Sequence, residues 1–222
     1  MNFQETLFPG YTIGEDAYQN IPAVCAPFGK KAAIIGGKHA LAAAEEKIRR
    51  AVEGSDIEIT GAYWYGGEAS VENIAMLQPQ VAQADMLFAV GGGKAIDTVK
   101  VLAHMTHRPF FTFPTIASTC AGCTSLGILY HPDGSLREYS FSKIPPNHIF
   151  IDPQIIADAP VKYLWAGMGD TMAKHFECTT SSRGRALPLR RHGHRPQLHV
   201  RRAHPPLGPE GHGGLQGPPG HL

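Results

Sequence analysis

Short, wholly apolar runs alternate with longer stretches of helical period through the first 180 residues. Residues 31–37 form an apolar run closing on two glycines, the pattern of a strand buried on both faces. Residues 39–52 are rich in Ala, Glu, Lys and Arg and predict a helix closed by Gly54. Asp56-Ile57-Glu58-Ile59-Thr60 alternates as a strand does, and Ser70 opens a helix predicted to run to about Ala84. Met86-Leu87-Phe88-Ala89-Val90 is a second buried strand that runs directly into Gly91-Gly92-Gly93. A helix from about Lys94 to Met105 then carries Ile96, Val99, Lys100 and Ala103 at helical spacing. Residues 110–114 and 148–151 predict further strands, with a hairpin around Pro132-Asp133-Gly134 between them. Residues 153–158 and 161 to about 180 predict helices. The alternation predicts an α/β fold, a Rossmann-like parallel sheet with helices on both faces, followed by the first helices of a second, helical unit.

Composition narrows the class. The chain has 222 residues and a formal charge of +1, ample for a buried core. No apolar run approaches the roughly 18–20 residues that span a bilayer. The opening Met1-Asn2-Phe3-Gln4-Glu5-Thr6 has no basic leader followed by an apolar block, so no secretory signal is expected. Four cysteines do not make a disulfide framework, and a reducing cytoplasm is the expected compartment.

The near-zero charge conceals a split. Residues 181–222 hold seven arginines, six histidines, eight glycines and seven prolines against one acid, Glu210. This stretch has no aromatic residue, no isoleucine and one valine, so it does not bury enough apolar surface to offset about 1–2 kcal/mol of chain entropy per residue. The expectation is a disordered basic tail over 183–222, with the composition that a shifted reading frame in GC-rich DNA produces. A nucleic-acid-binding arm is the alternative. It lacks interleaved aromatics and lysine clusters, so no specific nucleic acid is expected as a partner.

Chemistry concentrates at two strand ends. Three consecutive glycines let backbone N–H groups approach a pyrophosphate, and the helix that follows presents its positive end to that anion. The bend is neither G-x-G-x-x-G nor a Walker loop, and a tight turn without a ligand is the other reading. The next strand runs into Pro114-Thr115-Ile116-Ala117-Ser118-Thr119, small hydroxyl residues suited to a ribose or nicotinamide or, alternatively, to capping their own loop. Cys120 and Cys123 make a single Cys-x-x-Cys, which without a second pair specifies neither zinc nor redox chemistry.

Gly91-Gly92-Gly93-Lys94 with Asp97, then Pro114-Thr115-Ile116-Ala117-Ser118-Thr119, then Ala166-Gly167-Met168-Gly169-Asp170-Thr171 resemble, in that order, the iron-containing alcohol dehydrogenase superfamily, in particular its glycerol dehydrogenase branch. The resemblance covers roughly residues 8–183. It implies a nucleotide-binding domain over 1–158, the start of a helical metal-binding domain over 159–182, NAD or NADP as cofactor, and a divalent zinc or iron. By position, Gly91, Gly92, Gly93, Lys94 and Asp97 would hold the cofactor phosphates, and Thr115, Ser118, Thr124, Leu126 and Tyr130 would surround its ribose and nicotinamide. Asp170 would be the first metal ligand; read alone, it is an ordinary helix N-cap. The implied activity is hydride transfer on the CH–OH group of a small alcohol, polyol or 2-hydroxy acid, and the implied assembly is a homo-oligomer.

Three positions depart from that pattern. Cys120 stands where glycerol dehydrogenases carry a polyol-contacting aspartate, which looks more like the hydroxycarboxylate dehydrogenase relatives and turns the expectation toward 2-hydroxy acids. The first strand ends in Gly36-Gly37-Lys38 without an acid for the adenosine ribose, leaving NAD and NADP both open. No family histidine ligands follow Asp170, and His192, His194 and His199 match no motif, so little or no turnover is expected of this chain. A dehydroquinate synthase-like lyase and a non-enzymatic nucleotide-binding or basic-tailed protein are the alternatives.

Overall fold

The computed structural model describes residues 8–142 and 144–181. The expected tail over 183–222 lies outside the described residues. Six strands form one sheet in the order β1-β8-β5-β4-β2-β3, every pair parallel. They are β1 (Gly10–Ile13), β2 (Lys31–Gly36), β3 (Glu58–Trp64), β4 (Met86–Gly91), β5 (Phe110–Pro114) and β8 (His148–Ile151); β6 (Leu126–Tyr130) and β7 (Leu136–Phe141) pair as a separate antiparallel hairpin. The helices are α1 (Ile21–Cys25), α2 (Lys38–Val52), α3 (Val71–Gln80), α4 (Gly93–Thr106), α5 (Pro153–Ala157) and α6 (Val161–Ser181).

Alternation of side chains along the central strands creates two apolar layers. On one face Ile34, Phe88, Val90, Phe111, Phe113 and Phe150 pack against Tyr18, Ile21 and Cys25 of the α1 region and Ala44 and Ile48 of α2. On the other, Ala33, Ile35, Leu87 and Ala89 pack against Ile74 and Leu77 of α3 and Ile96, Val99 and Leu102 of α4. β4 is buried along its whole length, as a central parallel strand must be. Its Phe88 and Phe113 of β5 lie 5.0 Å apart between ring centroids, and Phe113 stacks on Phe150 at 4.9 Å. Each such fully buried ring contributes about 1.5–3 kcal/mol.

Most predicted elements stand where the pattern placed them, and Ser70 accepts from the Asn73 N–H as the α3 N-cap. Gly54 follows α2 at φ 75°, as a helix stop does. Two boundaries differ, and two elements were not predicted. β3 begins at Glu58 and continues through Gly61 to Trp64, because the pairing register skips Thr60 between Ala32–Ile59 and Ala33–Gly61. α3 stops at Gln80, with Pro79 in its last turn. β1 and α1 have no counterpart in the predicted pattern: β1 is a four-residue edge strand with mostly exposed positions, and α1 is a single five-residue stretch.

The strand order places a topological switch between β2 and β4, whose following chains leave in opposite directions across the sheet. In open α/β sheets ligands bind outside the carboxyl ends of the strands at such a switch. Here both flanking strands end in glycine.

Candidate functional site

β4 turns into α4 through Gly91 at φ 146°, a conformation that disfavours any side chain. A Cβ on Gly91 would lie 3.1 Å from the Ala95 Cβ and 3.9 Å from the Gly37 amide nitrogen, so the bend is pressed against the turn that ends β2. On Gly92 it would meet Ile116 Cδ1 at 2.5 Å, and on Gly93 the Thr119 Cγ2 at 3.1 Å. The glycines let three chain segments converge. The first intrahelical bond of α4 is Ile96 N–H to Gly92 C=O, which leaves the N–H groups of the first turn without helical partners. No side chain caps Gly92 and the first turn holds no acid; the same is true of α2, which starts after Gly37. Two uncapped, acid-free helix starts therefore flank the switch point, a field suited to an anion.

Lys94 stands at this mouth, half exposed. Its ammonium donates to Glu68 Oε2 at 2.6 Å and lies 5.8 Å from the Tyr130 ring centre. The Glu68 carboxylate raises the Lys94 pKa above the ordinary lysine value. Asp97, one turn further, faces inward. Its Oδ1 accepts from Lys100 Nζ at 2.9 Å and its Oδ2 from the Ile128 N–H at 3.3 Å. Burial pushes the Asp97 carboxyl above its usual range, with Lys100 pulling the other way.

Lys100 is completely buried and saturates its ammonium with four acceptors: Asp97, the carbonyls of Ala121 (3.0 Å) and Leu126 (2.6 Å), and Thr124 Oγ1 (3.3 Å). This single side chain ties α4 to the loop after β5 and to the start of β6. It thereby fixes Thr124 and Leu126 against α4. Thr115 begins that loop, is buried, and donates its N–H to the Gly91 carbonyl at 3.2 Å. Tyr130 hangs its N–H on the Ala69 carbonyl at 2.8 Å, next to Glu68. Ser118 is half-buried; Cys120 is exposed and Cys123 partly covered. The structure sets Thr115, Ile116 and Thr119 against Gly91, Gly92 and Gly93, places Lys94 beside Glu68 and Tyr130, and gathers Asp97, Thr124 and Leu126 around Lys100 further along α4; Ser118 lies in the loop that passes the bend.

Asp170 lies inside α6 (Val161–Ser181) rather than at a helix start, so it is not the N-cap that its local sequence suggested. A Cβ on Gly167, one turn before it, would overlap the Ala117 carbonyl oxygen, so α6 crosses directly on the loop that carries Ser118. An apolar cleft of about 200 Å³, lined in part by Ala117, Ile156, Pro160, Tyr163 and Leu164, borders the crossing. The Asp170 carboxylate lies 3.2 Å from Lys174, which also binds Glu177 at 2.9 Å. Among the described residues no group of three His, Cys, Asp or Glu side chains is placed to hold a metal ion. One carboxylate already neutralised by an ammonium does not fit a divalent ion that takes three protein ligands.

Two site residues escaped sequence reasoning. Lys100 sat in plain view as a lysine on an apolar helical stripe, a position that demands buried partners. Glu68 gave no signal, since its partner is 26 residues away.

Comparison with known proteins is consistent in direction. Residues 9–153 match the model of the iron-containing alcohol dehydrogenase family. A glycerol dehydrogenase from Escherichia coli is 33% identical over 184 residues, covering 82% of this chain and 50% of that protein. Hydroxycarboxylate dehydrogenase A from Escherichia coli is 34% identical over 163 residues, covering 72% of this chain and 44% of that protein. The crystal structure of glycerol dehydrogenase from Schizosaccharomyces pombe superimposes with a TM-score of 0.71 at 30% identity, over 78% of this chain and 44% of that one. The chain spans half or less of the length of these relatives.

Proposed function

Because the chain belongs to the iron-containing alcohol dehydrogenase family, we propose that it is the dinucleotide-binding half of an NAD(P)-dependent oxidoreductase acting on a small alcohol, polyol or 2-hydroxy acid. The observation that carries this reading is the uncapped glycine bend at the switch point, where β4, the turn after β2 and the loop after β5 converge. The bound dinucleotide supplies a nicotinamide that carries hydride. The chain's own residues bind and orient it. Backbone N–H groups of Gly93 and Lys94 receive the pyrophosphate, and the Lys94 ammonium swings between Glu68 and a phosphate oxygen. Thr115, Ser118, Thr124, Leu126 and Tyr130 form the wall for ribose and nicotinamide. Asp97 acts from below, holding Lys100 and the Ile128 N–H in place rather than touching phosphate.

The adenosine end favours no unphosphorylated ribose. β2 ends on glycine and α2 opens with Lys38 and His39, both exposed, so a ribose 2′-phosphate meets the Lys38 ammonium and an imidazole and no carboxylate. NADPH is bound at least as tightly as NADH. Cys120 at the exposed turn leaves a substrate carboxylate unopposed by a fixed acid, which favours 2-hydroxy acids over glycerol.

The family implies a divalent metal, and the described residues do not hold one. Residues 1–158 are assigned to dinucleotide binding and 159–182 to the beginning of a helical unit whose apolar side chains, Leu164, Trp165, Met168, Met172 and Phe176, stand exposed on α6. The chain by itself is expected to bind NAD(P)H weakly and to turn over little. Titrating the purified chain into NADPH and NADH and following nicotinamide fluorescence tests the reading. Saturable enhancement without turnover supports it, whereas no binding of either nucleotide, or appreciable metal-dependent reduction of a 2-oxo acid, overturns it.

A further inference from the structure

The cysteine pair beside the glycine bend has a geometry that its spacing alone did not settle. Cys120 and Cys123 close a short 3-10 turn through Ala121 and Gly122, with the Cys123 N–H donating to the Cys120 carbonyl at 3.0 Å. Residues at the two ends of such a turn have Cα atoms within about 7 Å, and at three residues per turn their side chains eclipse. A disulfide needs Cα atoms about 4.4–6.8 Å apart with Cβ atoms facing. The Cys123 thiol already points back along the turn, donating to the Cys120 carbonyl with a sulfur–oxygen distance of 3.2 Å. Cys120 is exposed, Cys123 partly buried, and neither is in a disulfide.

We propose that Cys120 and Cys123 form a modification site for low-molecular-weight disulfides, which close the turn into an intramolecular Cys120–Cys123 disulfide. The exposed Cys120 thiolate attacks one sulfur of the small disulfide, whose S–S bond breaks and releases one thiolate that takes up a proton. Cys123 then gives up its proton, attacks the Cys120 sulfur and expels the second small thiol. Two electrons and two protons pass from the cysteine pair to the small disulfide, which leaves as two thiols.

Burial raises the Cys123 thiol pKa, with the neighbouring Cys120 adding to the rise and Lys100 opposing it. These causes suit Cys123 to the resolving step and the exposed Cys120 to first contact. Closure is felt at the site because the turn is built into it. Lys100 holds the Ala121 carbonyl inside the turn and the Thr124 hydroxyl after it, and Gly93 lies against Thr119 and Ala121. The closed turn therefore lowers dinucleotide affinity; this consequence, unlike the disulfide itself, rests on the dinucleotide reading above.

The test incubates the reduced full chain with oxidised glutathione, maps cysteine peptides by mass spectrometry and titrates each form with NADPH. The wild-type chain is expected to become about 2 Da lighter through a Cys120–Cys123 link, whereas Cys123→Ser stops as a glutathione adduct on Cys120. The closed form is expected to bind NADPH at least about fivefold more weakly, with affinity restored by dithiothreitol. A stable glutathione adduct on wild-type Cys120, a link to Cys25 or Cys178 instead, or a pair that stays reduced would overturn the site. A closed form that binds NADPH as the reduced form does overturns the coupling. A reduced chain that binds no dinucleotide defeats the functional reading alone, since the mass result still decides the disulfide.

Discussion

The Lys100 ammonium lies 2.9 Å from the Asp97 carboxylate, in the interior between α4 and the β6 strand, with Lys100 fully buried and Asp97 nearly so. Removing one partner of a buried pair leaves an uncompensated charge, at about 3–5 kcal/mol. Lys100→Met is expected to lower the melting temperature by roughly 10 °C. Lys100→Met combined with Asp97→Asn is expected to recover part of that loss, because no net charge is then buried. Thermal melts of the two variants check this; a double variant less stable than the single would contradict it.

Gly91 carries the bend at φ 146° with its hydrogen facing Ala95 and Gly37. Gly91→Ala is expected to cost about 1–3 kcal/mol in backbone strain and to displace the amides of the first α4 turn. NADPH binding should disappear while far-ultraviolet circular dichroism stays near that of the wild type. Retained binding would mean that the bend is only a turn.

Lys94 and Glu68 make opposite predictions from one ion pair. Lys94→Ala removes a cation from the phosphate mouth, and a charge-assisted hydrogen bond of about 1.5 kcal/mol corresponds to roughly tenfold weaker NADPH binding. Glu68→Gln frees Lys94 from its competitor and should tighten binding, with a steeper salt dependence. Parallel titrations at low and moderate ionic strength separate the two. Equal effects of both variants in the same direction would refute the competition.

His148 of β8 ties the edge strand β1 to its neighbour. Its Nε2 lies 2.8 Å from Thr12 Oγ1, which also accepts from Asn20 Nδ2 at 3.2 Å, so the half-buried ring is part of a small polar cluster. Burial lowers the His148 pKa in the folded chain, whereas the unfolded chain protonates the ring near about pH 6.5. The contribution of the neutral ring is complete above that pH and is lost as pH falls through the lower native value. Between about pH 7 and pH 5 the urea midpoint of the wild type should fall more steeply than that of His148→Asn. Parallel pH profiles of the two would assign the dependence elsewhere.

How much of this was legible in the sequence differs by kind of interaction. The β4–Gly91–α4 unit was readable because a continuous apolar run and a glycine triplet are local signals. β1 left no such trace: Gly10–Ile13 is an edge strand held by parallel pairing to β8, and its positions are mostly solvent-facing. β3 was placed too early because Gly61 resembles a strand end, whereas the irregular register after Ile59 absorbs it. Of the site, residues that contact the bend through local geometry were legible by motif. For Asp97 the motif marked the position, whereas its partners Lys100 and Ile128 are defined only by packing of α4 on β6. Asp170 matched a motif, and its closeness to Lys174 and to the Ser118 loop emerged only with α6 in place.

The most direct measurement is calorimetric titration of the purified 222-residue chain with NADPH in the presence of a strong metal chelator, beside Gly91→Ala under the same conditions. One saturable site in the wild type and none in the variant is the predicted result. No binding by the wild type, or binding that returns only when a stoichiometric divalent ion is supplied, would contradict the assignment of the glycine bend as the part of this chain that holds the dinucleotide.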